Sequence, residues 1–211
     1  HAVLDNGYSA DILNEGTLLD GLDRYPVVIV PEAERIPEQL VTALEGYVRN
    51  GGQLLLTGEH VAAQYGGLAG VALRSDARPT GYLPAMGQAA PISGHFADVD
   101  PRETEVLACV MNQQDPAHNT TDHPAATRRQ LGEGAVVAVH GPVFRNYEKG
   151  HYHRLRRFLG DMVRALDAPL IQVEGPWWVE LSARQKDGRT LLQLVNRGNA
   201  GYTAPGRHMV E

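Results

Sequence analysis

Cysteine is nearly missing from this chain. Cys109 is the only one in 211 residues, which excludes an intramolecular disulfide framework and any structural zinc site built on several thiolates. A strong charge of either sign is missing as well. The net charge is −6 with 21% charged residues, so no bulk positive field draws nucleic-acid phosphates or anionic lipid. Neither a nucleic acid nor a membrane is expected as a partner. No apolar run approaches the roughly 20 residues that a spanning helix needs, and no signal-peptide pattern precedes His1. There is no initiator methionine, and the chain stops at Met209-Val210-Glu211 just after the turn-like Tyr202-Thr203-Ala204-Pro205-Gly206. Both ends read as cut, so a longer parent protein is expected. The lone thiol fits a reducing compartment, which favours the cytoplasm. Internal repeats and low-complexity tracts are absent too.

What is present is the makeup of an ordinary globular core, with 43% apolar residues. The β-branched run Tyr25-Pro26-Val27-Val28-Ile29-Val30-Pro31 does not alternate, which predicts a strand buried on both faces. Ile36 to Gly52 follows with Leu40, Val41, Leu44, Tyr47 and Val48 at helical spacing. Pro37 suits its first turn, and Asn50-Gly51-Gly52 ends it. Gln53-Leu54-Leu55-Leu56-Thr57-Gly58 is a second buried strand. Two such strands joined by one amphipathic helix form a βαβ unit, and that requires a parallel sheet covered on both sides.

The remaining elements are weaker. Val3 to Tyr8 predicts the tail of a helix closing on Asn6-Gly7, Ala10 to Leu13 a short edge strand, and Thr17 to Leu22 a helical turn. Between Val61 and Gln130 glycine and proline are frequent. Short strands are expected at Gly81 to Met86, His95 to Val99 and Thr104 to Val110, with a polar loop from Thr120 to Arg129. Ala135 to His140 is a buried strand, and Val143 to Leu166 a long helix stopped by Pro169. The basic cluster Arg154, Arg156 and Arg157 is the solvated face of that helix. Beyond it, Trp178 to Gln185 and Thr190 to Asn196 flank Lys186-Asp187-Gly188-Arg189, a hairpin signal. A boundary therefore falls between Leu170 and Trp178, dividing an α/β domain over residues 1–170 from an antiparallel β unit beginning at 171 and running to 211.

The stretches Leu22 to Pro31 and Leu40 to Gly58 carry the pattern L-x-x-Y-x-hydrophobic-Pro, then L-x-x-Y-V-x-x-G-G-x-hydrophobic-T-G. This resembles the glutamine-amidotransferase-like domains attached to glycoside hydrolases, above all the trimerisation domain of the β-galactosidases of glycoside hydrolase family 42. The tail from Trp178 to Arg197 resembles the opening strands of the small β domain that follows it. The resemblance implies a flavodoxin-like, class I amidotransferase-like parallel sheet flanked by helices, followed by an antiparallel hairpin. It also implies that a first strand, central in that order, is missing ahead of His1, leaving the middle of the sheet unpaired. As partners it implies a (β/α)8 catalytic domain of the same chain and further copies of the protein, with a carbohydrate as an additional candidate. The segment Gly66 to Arg129 does not match in detail.

No catalytic residue is assigned. An amidotransferase needs a cysteine on a tight strand-to-helix elbow with histidine and glutamate partners, whereas Cys109 lies in an apolar strand-like run, where an inert thiol is expected. Glu59 and His60 follow the second buried strand, at the carboxyl end where ligands gather in open α/β sheets. The structural reading makes them caps of the next helix. Nine histidines invite a metal, but His118 and His123 sit in a polar loop, and His151 and His153, two apart, cannot face one another on a helix. No metal and no cofactor is assigned. A retaining glycosidase needs two carboxylates about 5 Å apart, and Glu59, Glu103, Glu133 and Glu174 are scattered. Trp177 and Trp178 could stack on a sugar, and the structural reading packs them at the domain junction. The expected function is a non-catalytic structural and oligomerisation domain of a glycoside hydrolase. Two alternatives stay open: a stand-alone amidotransferase-like hydrolase with its site relocated to residues such as Glu59 and His60, and a carbohydrate-binding module using the paired tryptophans.

Overall fold

A computed structural model describes residues 1–198 except Thr120 and Pro169. The expected Pro169 stop and the 202–206 turn lie outside the described residues. The chain opens with a 3-10 turn at Leu4–Asn6, closed by Gly7 in the left-handed region at φ 79°. Helix α1 spans Glu15–Leu19 and a second 3-10 turn covers Leu22–Arg24. Then come β1 (Val27–Pro31), α2 (Glu38–Arg49), β2 (Gln53–Thr57) and α3 (Val61–Ala69). A β-rich stretch follows: β3 (Val71–Pro79), β4 (Tyr82–Ala85), β5 (Gln88–Pro91), β6 (His95–Pro101) and β7 (Glu105–Cys109). The chain returns through β8 (Pro124–Leu131), β9 (Gly134–Val139), α4 (Val143–Gly150) and α5 (His153–Arg164), and ends in the hairpin β10 (Val179–Lys186) and β11 (Arg189–Asn196).

The central sheet has five strands in the order β1-β2-β9-β8-β7. Strand β1 runs parallel to β2, with Val28 opposite Leu54 and Val30 opposite Leu56, and β2 runs parallel to β9. The βαβ unit stands as the sequence predicts. Antiparallel pairing of β8 with β9 and with β7 makes the sheet mixed rather than parallel throughout. Among the described residues β9 has neighbours on both sides, and β1 is an edge. That edge position leaves only Val28 of β1 fully buried, short of the burial on both faces that its composition predicts.

Strand alternation sorts the core into two layers. Leu54, Leu56, Val136 and Ala138 face α2 and α3, while Leu55, Val137 and Val139 face α4 and α5. Leu40, Leu44 and Val48 place one stripe of α2 in the first layer, each contributing roughly 1.5–3 kcal/mol by leaving water. Pro37 precedes α2 as its cap residue instead of entering the first turn.

Four further differences have physical reasons. Ala10 to Leu13 is not a strand, and Ile12 is fully exposed. This segment is tied through Asp11, which accepts from Tyr25 Oη at 3.2 Å and pairs with Arg184 at 3.0 Å. Val61–Ala69 is a helix whose Val61, Ala62, Tyr65, Leu68 and Ala69 turn inward despite Gly66-Gly67. The expected loop from Thr120 to Arg129 becomes strand β8 from Pro124 onward, because its polar side chains find partners. Thr127 Oγ1 lies 3.1 Å from His140 Nε2, Arg128 Nε donates to the Ala165 carbonyl at 2.8 Å, and Arg129 bonds Glu103 at 2.6 Å. The single helix from Val143 to Leu166 is two, broken at His151, which adopts a left-handed φ of 45°. Both β4–β5 and β10–β11 close through two left-handed residues, Met86-Gly87 and Asp187-Gly188, the turn form that matches strand twist.

Candidate functional site

The carboxyl ends of β1, β2 and β9 gather three loops at one rim: Glu32, Gly58-Glu59-His60, and His140-Gly141-Pro142. Glu32 takes a left-handed φ of 49°. Its carboxylate accepts from the Phe144 N–H at 2.6 Å and the Arg145 N–H at 3.1 Å, in the first turn of α4. Burial pushes the Glu32 carboxyl above its usual range, against the lowering effect of those amides and of the Arg145 charge. Gly58 has φ 127°, and a Cβ there would stand 3.2 Å from Glu32 Cα, so the two loops touch where only glycine fits easily. Glu32 thus acts as a cap reaching across the rim, and the side chain best placed for chemistry is engaged structurally.

Glu59 and His60 lie side by side, with His60 Nε2 3.6 Å from Glu59 Oε1, and both are partly exposed. His60 occupies the cap position of α3, but its side chain makes no capping bond. His140 is wholly buried, and desolvation pushes its imidazole down to about 4, so it is neutral in the folded protein. Cys109 sits on the edge strand β7 opposite Pro124, not on an elbow. Burial, then the nearby Asp122 carboxylate, raise its thiol above the usual value, which keeps the sulfur protonated and weakly nucleophilic.

Trp177 and Trp178 meet edge to face, with centroids 5.8 Å apart and an interplanar angle of 81°, so they do not present one flat platform. Trp177 lines a cleft of about 470 Å³ with Arg156, Arg157 and Arg164. The basic cluster is therefore divided: Arg154 turns inward to the Ala89 carbonyl at 2.8 Å, while Arg156 and Arg157 face this cleft. His151 is buried at the helix break and His153 begins α5. Among the described residues no three potential metal ligands converge.

The sequence reading missed the joint between body and hairpin. Asp5, with its side chain 1% exposed, accepts from Tyr147 Oη at 2.8 Å and from Arg197 Nη2 at 3.0 Å. Arg197 Nε in turn lies 3.0 Å from Glu180. Partners 142 and 192 residues away leave no local signal.

Comparison with known proteins adds the following. Residues 1–60 match the family model described as the beta-galactosidase trimerisation domain, which bears out the resemblance carried by Leu22 to Gly58. No curated protein matches the chain. Among solved structures, a GH42 beta-galactosidase from G. stearothermophilus is similar over 93% of this chain and 29% of its own, at 16% identity and a TM-score of 0.67. The beta-galactosidase from Bacillus circulans sp. alkalophilus covers 92% of this chain and 30% of its own, at 17% identity and TM-score 0.64. Alpha-L-fucosidase isoenzyme 2 from Paenibacillus thiaminolyticus covers 97% and 34%, at 15% identity and TM-score 0.69. These likenesses concern the fold, and the chain spans about a third or less of the length of each structure.

Proposed function

We propose that this chain is a non-catalytic, oligomer-forming part of a glycoside hydrolase of the β-galactosidase kind, packing against a (β/α)8 catalytic domain and against copies of itself. The observation that carries this reading is the match of residues 1–60 to the trimerisation model. Two features support it: Glu32 at the rim is engaged as a helix cap, and Cys109, on the far edge strand, stays protonated. Within the reading, residues 1–170 form an amidotransferase-like domain of flavodoxin-like descent, and residues from 171 begin a small β domain. The exposed apolar row of β11, including Leu191, Leu192 and Leu194, supports that division. Glu59 and His60 are the rim's ligand-contact residues, and Trp177 and Trp178 pack the junction.

Size-exclusion chromatography with light scattering tests the assembly. The expected mass is about three times the 23.0 kDa of one chain. Ile12, fully exposed inside the matched segment, becomes covered in the trimer, so Ile12→Asp is expected to yield monomers that melt at an unchanged temperature. A wild-type chain that elutes only as a monomer at high concentration overturns the reading.

A further inference from the structure

A cleft of about 470 Å³ opens where α5, the 3-10 turn at Leu4–Asn6 and the linker into β10 meet. These three elements are tied to one another. Asn6 Nδ2 donates to the Arg156 carbonyl at 2.9 Å, the Val173 N–H to the Gly7 carbonyl at 2.9 Å, and Gln172 Nε2 to the Asn6 carbonyl at 2.9 Å. Arg156, Arg157 and Arg164 line the cleft together with the half-buried Trp177. Arg157 and Arg164 are exposed. Arg164 pairs with Asp161, while Arg157 meets no carboxylate among the described residues. Of the two acidic residues in the lining, Asp5 is already taken by Tyr147 and Arg197, and Glu174 is exposed. The cleft is thus a positive patch on a chain whose net charge is −6.

Arginine and tryptophan are the residues enriched at the energetic centres of protein interfaces. A small anion is a poor occupant, since the guanidiniums lie at the surface with Glu174 among them. Nucleic acid is opposed by the overall charge. An acidic protein surface fits, and this chain carries one. From Ala10 to Asp23 it holds Asp11, Glu15, Asp20 and Asp23 and no basic residue. All four are exposed, and among the described residues only Asp11 has an ion-pair partner, Arg184. Arg24, next in sequence, bends back to donate to the Asp20 carbonyl at 3.3 Å. The fully exposed Ile12 stands in the same stretch. Symmetry then requires a second surface. A closed ring of three uses a heterologous contact, in which each chain offers one patch and receives a different one, whereas a self-complementary patch stops at two copies. We propose that the cleft of Arg156, Arg157, Arg164 and Trp177 is the receiving half of that contact, taking the acidic 10–23 segment of the next copy with Ile12 against Trp177. This rests on the trimeric assembly proposed above and supplies the half of the interface that lies outside the matched residues 1–60.

Analytical ultracentrifugation of the 211-residue chain and its variants tests it. Reversing both exposed charges, Arg157→Glu with Arg164→Glu, is expected to raise the concentration at which trimers dissociate by about tenfold or more, because like charges then face each other. Arg157→Gln with Arg164→Gln is expected to lie between that variant and the wild type, and both are expected to melt as the wild type does. Mixing the charge-reversed variant one to one with Ile12→Asp leaves a single intact contact, the acidic segment of the first in the cleft of the second. The pair is expected to form a heterodimer of twice 23.0 kDa that grows no further, although each variant alone is monomeric. A wild-type trimer whose dissociation neither arginine variant alters overturns this proposal and leaves the trimeric assembly standing. So does a mixture that stays monomeric or closes into a trimer. A wild-type chain that is monomeric overturns the assembly itself, and this proposal with it.

Discussion

Replacing Asp5 by alanine tests how the hairpin is held to the α/β body. Its carboxylate is the common acceptor for Tyr147 Oη and the Arg197 guanidinium, with His151 Nδ1 3.8 Å away. The substitution removes the Asp5 acceptor from a phenol in the core, Tyr147 being 1% exposed. It also takes the buried carboxylate away from the Arg197 guanidinium, which is 23% exposed and has Glu180 3.0 Å from its Nε. Removing one member of a buried pair costs about 3–5 kcal/mol. Partial access of Arg197 to water and to Glu180 argues for the lower end of that range. For a chain of this size each kcal/mol moves Tm by roughly 2–4 °C, so a fall of about 10 °C is expected. Tyr147→Phe alone removes the hydrogen bond to Asp5 and costs about 1 kcal/mol. In the double variant the two effects are less than additive, because each removes the same bond. Urea unfolding supplies the free energies, and hydrogen exchange across β10 and β11 supplies the location, with faster exchange there than in β2. If Asp5→Ala melts with the wild type, or if protection is lost uniformly, the network is not what joins hairpin to body.

Acidity offers a second test. The His140 imidazole titrates near 4 when folded, against 6.5 in the unfolded chain. The unfolded state therefore binds the extra proton first, and stability falls as pH drops from about 6.5 to about 4, by roughly 3 kcal/mol at most. His140→Gln is expected to flatten that part of the pH–stability profile measured by urea unfolding; an equally steep profile in the variant would refute the assignment. At the rim, Gly58→Ala forces a side chain into φ 127° against Glu32 Cα. A loss of about 1–3 kcal/mol is expected, and a variant as stable as wild type would show that the two loops separate easily.

Legibility from sequence followed the range of the interactions. Strands β1, β2 and β9 and helix α2 were readable because burial against neighbouring layers demands unbroken apolar runs or one apolar stripe, and Val27 to Leu56 displays both. The hairpin was readable because Asp187-Gly188 carries its own turn geometry. By contrast, β8 looks like a loop until Thr127, Arg128 and Arg129 meet His140, Ala165 and Glu103, none of them adjacent in sequence. Helix α3 was masked by Gly66-Gly67 although its inward residues keep helical spacing. The break at His151 had no announcing residue beyond Gly150. Asp5 and Glu32 were invisible as site residues for the same reason: their partners are more than a hundred positions away.

The rim itself shows why an α/β sheet can keep its loops and still lack an obvious reaction. A carboxylate at the end of β1 could serve as a general base only if its oxygens were free to meet a substrate. Here both Glu32 oxygens face the first amides of α4, so withdrawing them for chemistry would uncap that helix. His140, at the end of β9, is neutral and enclosed, with Thr127 at one nitrogen. The thiol is on the far edge strand. Glu59 and His60 keep exposed polar atoms, and among the described residues no third group is hydrogen-bonded to this pair, 3.6 Å apart, to orient it as nucleophilic or acid–base sites require. Glu32, at the end of β1, is instead occupied in holding the start of α4. Each such bond fixes the placement of α4 relative to β1, so the Glu32 carboxylate acts as a positioning group of the fold.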